Sequence, residues 1–114
     1  MLHAWRGLRL TFRTERSFRI QIAVCAVVVL CMLIVPVTTF ERLLLILAMS
    51  AVLVLELLNS MVERLVDLFT PRLNELVGDI KDIMAGVVLV ASVFAAVIGT
   101  MIFWPFVSTI LARV

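Results

Sequence analysis

Three long apolar runs frame the chain. The first is Ile20 to Val37, the second opens at Leu43, and the third ends at Trp104-Pro105. Each is long enough to cross a bilayer as a helix; the first covers roughly 27 Å. The second differs from the others. Leu43 to Val54 is uncharged and almost wholly apolar, and then Glu56, Asn59, Glu63 and Asp67 break in. At about 100° per helical residue these four lie at roughly 0°, 300°, 340° and 20°. Three carboxylates and an amide therefore share one face. A carboxylate inside a membrane span costs roughly 2.5–3.5 kcal/mol on insertion scales, so this stripe calls for a function.

The pattern predicts five segments within one membrane domain, residues 1–114. Residues 1–19 read as an amphipathic surface helix. Trp5, Leu8 and Phe12 cluster on one side, and Arg6, Arg9, Arg13 and Arg16 fill the neighbouring sector, as suits a helix lying among lipid headgroups. Glu15 is the exception, projecting on the apolar side near Leu8. The first span is expected over 20–37. The second helix is expected over 40–69, roughly 45 Å against roughly 30 Å of hydrocarbon, so its last turns project into water. Counted from Leu43, Glu56 lies about 20 Å in and Glu63 about 30 Å in, with Asp67 beyond. Thr70-Pro71-Arg72-Leu73-Asn74 reads as a break, because proline ends a helix. A polar approach over Glu75 to Asp82 leads into the third span, 80–104, closed by Trp104-Pro105. Residues 105–114 read as a short tail. Ala91, Ala95 and Gly99 form a small-residue ridge that permits close helix contact.

Composition agrees. The chain has 114 residues, 64% of them hydrophobic, with a mean hydropathy of +1.22. Only 16% are charged, against about 25% in soluble chains. The fold class is therefore all-α integral membrane. The net charge of +2 is too small to argue for nucleic acid. Cys25 and Cys31 sit in the first apolar run, on different helix faces, and read as ordinary small apolar residues. A cleavable signal peptide is disfavoured for the first segment: the run is longer than such a region needs, and no small-x-small site stands cleanly after it.

Charge distribution sets the topology. Arg6, Arg9, Arg13, Arg16 and Arg19 precede the first span, and Arg64, Arg72 and Lys81 flank the second connection. Arg42 alone marks the first connection. The positive-inside rule puts the N-terminus and the second connection in the cytoplasm. The stripe, Glu15 and Lys81-Asp82 then meet at one membrane boundary.

Carboxylates with a lysine at such a boundary suit few tasks. One is holding Mg²⁺ with a polyphosphate, the metal taking one or two carboxylates and the lysine neutralising phosphate. Another is general base catalysis by a carboxylate withdrawn from bulk water. Glu56 is best placed for the latter, since it can meet a hydroxyl whose tail stays in the bilayer. Together these describe phosphoryl transfer to a lipid alcohol. The chain has no phosphate-binding glycine motif of the soluble kinds and a single histidine, His3. From spacing alone a small proton-coupled transporter fits as well, because such proteins also use an intramembrane glutamate. A non-catalytic assembly subunit packing through Ala91, Ala95 and Gly99 leaves the buried Glu56 unexplained.

The motifs resemble one family. The run Glu56-Leu57-Leu58-Asn59-Ser60-Met61-Val62-Glu63-Arg64-Leu65-Val66-Asp67, then Asn74-Glu75-Leu76-Val77-Gly78 and Lys81-Asp82, resembles the small prokaryotic diacylglycerol kinase / undecaprenol kinase family. Trp5-Arg6-Gly7-Leu8 and Glu15-Arg16-Ser17-Phe18-Arg19 resemble its N-terminal segment. The resemblance implies a homotrimer in the bacterial cytoplasmic membrane, with composite sites between subunits and Mg-ATP as donor. It implies Glu56 as general base with Asn59 its supporting neighbour, Glu15 and Glu63 as metal ligands, and Lys81 at phosphate. Asp67, Glu75 and Asp82 would complete the nucleotide site. Diacylglycerol is the expected acceptor, with undecaprenol as the alternative. The Glu56 and Asn74 stretches resemble the diacylglycerol-using members, and the third span resembles the undecaprenol-using ones. Two features depart from the family pattern. Asp79-Ile80 stand where a basic residue and alanine are usual, and His3 falls where an aromatic could line the adenine pocket.

Overall fold

The computed structural model describes residues 1–69 and 74–114, with Asn74 described by its backbone alone. The described residues form four helices: α1 (Leu2–Thr14), α2 (Arg16–Ile34), α3 (Thr39–Asp67) and α4 (Asn74–Arg113). The last three are long and apolar enough to cross a membrane. The proline break expected at Thr70–Asn74 falls on residues 70–73, outside the described residues.

The first two helices divide earlier than residue 19. Glu15 is extended, with φ −111° and ψ 111°, and α2 already begins at Arg16. Local chemistry favours the break. Thr11 and Thr14 turn their hydroxyls back to Gly7 O at 2.9 Å and Leu10 O at 2.8 Å, a pattern that bends and weakens helices. Trp5, Leu8 and Phe12 of α1 border a hollow with Phe18 and Ile22 of α2, and Phe18 is buried there.

α2 ends at a tight turn. Val35 N–H donates to Cys31 O at 2.8 Å, and Pro36 cannot continue the helix. Thr38 then starts α3 with a capping box: its Oγ1 accepts from Glu41 N–H at 3.2 Å, while its own N–H donates to Glu41 Oε1 at 3.0 Å. Two of the four orphan donors at a helix start are thereby paired. So short a link makes α2 and α3 antiparallel neighbours.

α4 corrects two expectations. The polar approach, Glu75 to Asp82, is helical, and the helix does not close at Trp104-Pro105 but runs on to Arg113. Residues 105–114 are therefore not a separate tail. Proline removes one backbone donor and crowds the preceding turn. Here Ser108 and Thr109 return their hydroxyls to Pro105 O, at 3.0 and 2.7 Å. Those hydroxyls meet Pro105's own carbonyl and not Met101 O, the one the missing donor leaves free; the helix carries that single lost bond because a break in an apolar stretch would unpair more backbone groups. Forty residues make a rod of roughly 60 Å, which sets the molecule's long dimension of 61 Å.

Packing concentrates at the two ends. Met32, Val37, Leu45 and Ile102 form a buried cluster where α2 turns into α3, backed by Met49, Ile98 and Phe103. At the other end α3 buries Glu56, Ser60 and Val66, and α4 buries Val77. Between the ends, α2, α3 and α4 leave a cleft of about 390 Å³ bordered by Gln21, Val52, Ser92, Ala95, Gly99 and Phe103, among others. The small-residue ridge does not close it. A Cβ added to Gly99 meets no atom within 4 Å.

Candidate functional site

Helix α3 lays out the site by its period. Glu56, Asn59, Glu63 and Asp67 recur at intervals of three and four, so they stack along one face. Their burial is graded. Glu56 is 4% exposed, Asn59 and Glu63 are half-buried, and Asp67 is exposed. The stripe thus runs from the packed interior of the protomer to its surface. Among the described residues no hydrogen bond reaches the Glu56 carboxylate. Its oxygens are not among the fully buried unpartnered atoms, so the little surface Glu56 keeps includes its carboxylate, which remains open to a ligand.

Two further acids surround it. Glu15, on the α1–α2 elbow, and Glu63, on α3, both bring negative charge to bear on Glu56. Asn59 Nδ2 donates to Glu63 Oε1 over a long 3.5 Å. The amide therefore supports Glu63 within the described contacts, not Glu56 as the resemblance suggests. Its Oδ1 is buried and has no partner among the described residues. At the outer end Lys81 Nζ meets Asp67 Oδ1 at 2.6 Å, and Glu63 adds a second negative neighbour to Lys81. That ion pair joins the exit of α3 to the first turns of α4.

The structure thus brings together Glu15, Glu56, Asn59, Glu63, Asp67 and Lys81. It does not draw in Glu75 and Asp82. Both are exposed, and among the described residues no hydrogen bond or ion pair reaches them. Asp79 and His3 are likewise exposed.

Two residues of the cluster escape the sequence reading. Ser60 is 3% exposed, and its hydroxyl has no partner among the described residues. The signal was its spacing of four from Glu56, which places it one turn further along the same face. Arg64 donates to Thr14 Oγ1 at 2.8 Å and lies 3.8 Å from Glu15 Oε1. Sequence counting uses Arg64 only as a topology charge, because nothing local indicates that α1 lies within its reach.

The donor set is one of hard oxygen ligands. A hard divalent ion such as Mg²⁺ takes oxygen ligands, commonly one or two carboxylates with phosphate and water completing the shell. Glu15 and Glu63 supply two carboxylates from two elements beside Glu56. No cluster of three metal-ligating side chains occurs among the described residues. The residues fit such a group.

Comparison with known proteins gives a consistent result. The family model described as prokaryotic diacylglycerol kinase matches residues 2–103. The chain is similar to undecaprenol kinase of Bacillus subtilis (strain 168), 38% identical over 104 residues, covering 91% of this chain and 85% of that protein. It is similar to diacylglycerol kinase of Escherichia coli (strain K12), 36% identical over 104 residues, covering 90% of this chain and 84% of that protein. Neither similarity supports the proton-coupled transporter.

Proposed function

The chain belongs to the prokaryotic diacylglycerol kinase family of lipid kinases, and from that premise we propose a direct phosphoryl transfer from Mg-ATP to a membrane lipid alcohol at the Glu56 cluster. One observation carries the assignment of the site. A buried carboxylate, Glu56, stands between two other acids, with an ion-paired lysine where the same stripe reaches water. That arrangement suits a hydroxyl arriving from the bilayer and a polyphosphate arriving from the aqueous side.

In this reading the lipid hydroxyl oxygen attacks the γ-phosphorus in line. The bond from that phosphorus to the β–γ bridging oxygen breaks, ADP leaves, and the hydroxyl proton passes to a Glu56 carboxylate oxygen. Glu56 is the general base, a role worth about 10²–10⁴-fold in rate. Asn59 has an unpartnered, buried Oδ1 beside it, an acceptor suited to orienting that hydroxyl. Glu15 and Glu63 would hold Mg²⁺, which when bound neutralises phosphate charge and aligns the γ-phosphoryl group. Lys81 would serve the phosphates as a point cation, presented by Asp67. Glu75 and Asp82 lie near enough in sequence to meet the rest of the nucleotide.

The acceptor is a narrower question. The relatives' names offer diacylglycerol and undecaprenol at 36% and 38% identity, so identity does not separate them. Diacylglycerol is the first acceptor on the Glu56-Leu57-Leu58-Asn59-Ser60 stretch. Undecaprenol is the second, on the third span and the Bacillus relative. The cleft below Glu56, bordered by Val52 one turn deeper on the same face, suits an apolar chain of either kind. A homotrimer with composite sites, the N-terminus and site in the cytoplasm, and α1 among the headgroups of the bacterial cytoplasmic membrane complete the reading. The deciding experiment supplies purified protein with labelled ATP and each lipid separately. Phosphatidic acid formation supports the first acceptor, turnover of undecaprenol alone replaces it with the second, and turnover of neither sinks the kinase reading.

A further inference from the structure

Arg64 has no part in the reaction as described, yet it ties α1 to α3. Its Nη2 donates to Thr14 Oγ1 at 2.8 Å and stands 3.8 Å from Glu15 Oε1. Among the described residues no other side-chain hydrogen bond or ion pair joins the α1–α2 elbow to α3. The Thr14 hydroxyl in turn donates to Leu10 O at 2.8 Å. Its proton is therefore committed, and its lone pairs are left to accept from Arg64.

A second arginine works from the other side. Arg19 Nη1 donates to Phe12 O at 2.9 Å and Arg13 O at 3.1 Å. These are last-turn carbonyls of α1, which lose their in-helix donors once the chain breaks at Glu15. A cation there also meets the negative end of the α1 dipole. Two arginines from two helices grip the elbow, and Glu15 is the residue at its bend.

We propose that Arg64 is a positioning residue that fastens the elbow to α3 and so keeps the Glu15 carboxylate beside Glu63 for the cation of the phosphoryl donor. This rests on Glu15 and Glu63 being cation ligands, as proposed above. The ion pair alone carries little weight, since half-exposed pairs of this kind contribute little in water. Direction comes from the Thr14 bond. Arg64 and Glu63 are also consecutive in α3, so their side chains leave the helix about 100° apart. One faces the acidic stripe while the other reaches the elbow, and a single turn of backbone couples the two carboxylates.

The test uses the full chain with Cys25 and Cys31 replaced by Ala. Spin labels are placed at Leu10 and Leu65, both exposed, and labelled protein is diluted with unlabelled protein in lipid. Pulsed dipolar distances are recorded alongside the Mg²⁺ dependence of ATP-driven lipid phosphorylation. Arg64→Ala is expected to broaden the α1–α3 distance and to raise the Mg²⁺ half-saturation about tenfold, as loss of an outer partner of a metal ligand does. The rate at saturating Mg²⁺ changes little. Thr14→Val, which removes the acceptor for Arg64 together with the hydroxyl's own bond to Leu10 O, moves both readouts the same way and decides the matter if Arg64→Ala does not fold. Arg64→Lys recovers most of the distance. An unchanged distance in Arg64→Ala overturns the clamp, and a broadened distance with unchanged Mg²⁺ half-saturation overturns its role toward the cation. Wild-type protein that phosphorylates no lipid overturns the kinase reading instead, and the distance measurement still decides the clamp.

Discussion

Lys81 Nζ lies 2.6 Å from Asp67 Oδ1, bridging the last turn of α3 and the first turns of α4. The pair places a cation at the water-facing end of a stripe that is otherwise acidic. Lys81→Ala should lower kcat by about 10²-fold, the usual scale for losing one preorganised electrostatic stabiliser, and raise the KM for ATP. Asp67→Asn leaves the lysine in place but unguided, so a smaller loss is expected. Steady-state kinetics at varied ATP and fixed lipid separates the two. Equal effects of both variants argue against a phosphate role for Lys81.

Glu56→Gln keeps the shape of the side chain and removes the base. We expect a loss of about 10²–10⁴-fold in kcat. Stability should not fall, because a neutral amide costs less than a carboxylate to bury without a partner. Single-turnover rates and thermal unfolding in the same detergent check both halves. A folded variant with near-normal kcat removes Glu56 from the role of base.

The cleft among α2, α3 and α4 makes a prediction about the lipid alone. A Cβ at Gly99 meets nothing within 4 Å, so Gly99→Leu should fold and intrude on the space bordered by Val52 and Ala95. The KM for the lipid is expected to rise, more steeply for longer chains, while the KM for ATP stays put. Varying acyl length at saturating ATP tests this. A parallel rise in the KM for ATP would point to a general distortion of the fold.

Most large apolar side chains of α2, α3 and α4 face outward. Lipid covers such faces, and so do copies of the chain. Native mass spectrometry is expected to return three protomers per particle. If the sites are composite, mixing Glu56→Gln with Lys81→Ala subunits restores activity that neither has alone. Lack of restoration places both residues in one subunit's site.

Thr38→Ala should behave as a purely structural change. It removes the capping box at the start of α3, at a cost of about 1 kcal/mol, at the end of the helix away from Glu56. Denaturant or thermal unfolding should register the loss, with kcat/KM intact.

The parts of the molecule legible in the sequence are those fixed by local period and hydropathy. Three spans and the face shared by Glu56, Asn59, Glu63 and Asp67 need only the helix repeat and the cost of charge in lipid. The break at Glu15 was not legible, because its partners come from elsewhere: Arg19 reaches back from α2 and Arg64 reaches across from α3. Pro105 misled for a different reason. Proline costs the helix only the one bond its missing N–H would give Met101 O, and in an apolar stretch a full break would leave more backbone groups unpaired. Here the helix continues through the proline, and Ser108 and Thr109 bond back to Pro105 O. The Thr38-x-x-Glu41 cap, by contrast, is a purely local signature of a helix start.

The unbroken run of α4 from Asn74 to Arg113 has a consequence for how this gene can vary. Lys81 near one end and Gly99 at the cleft share one rigid axis, so the angle between them is set by the number of residues separating them. One inserted residue would swing Lys81 by about 100° from Asp67, and two by about 200°. Substitutions can drift along this stretch, but its length is counted. Single insertions between Lys81 and Gly99 should abolish lipid phosphorylation, whereas a chemically bolder change that preserves the count should not.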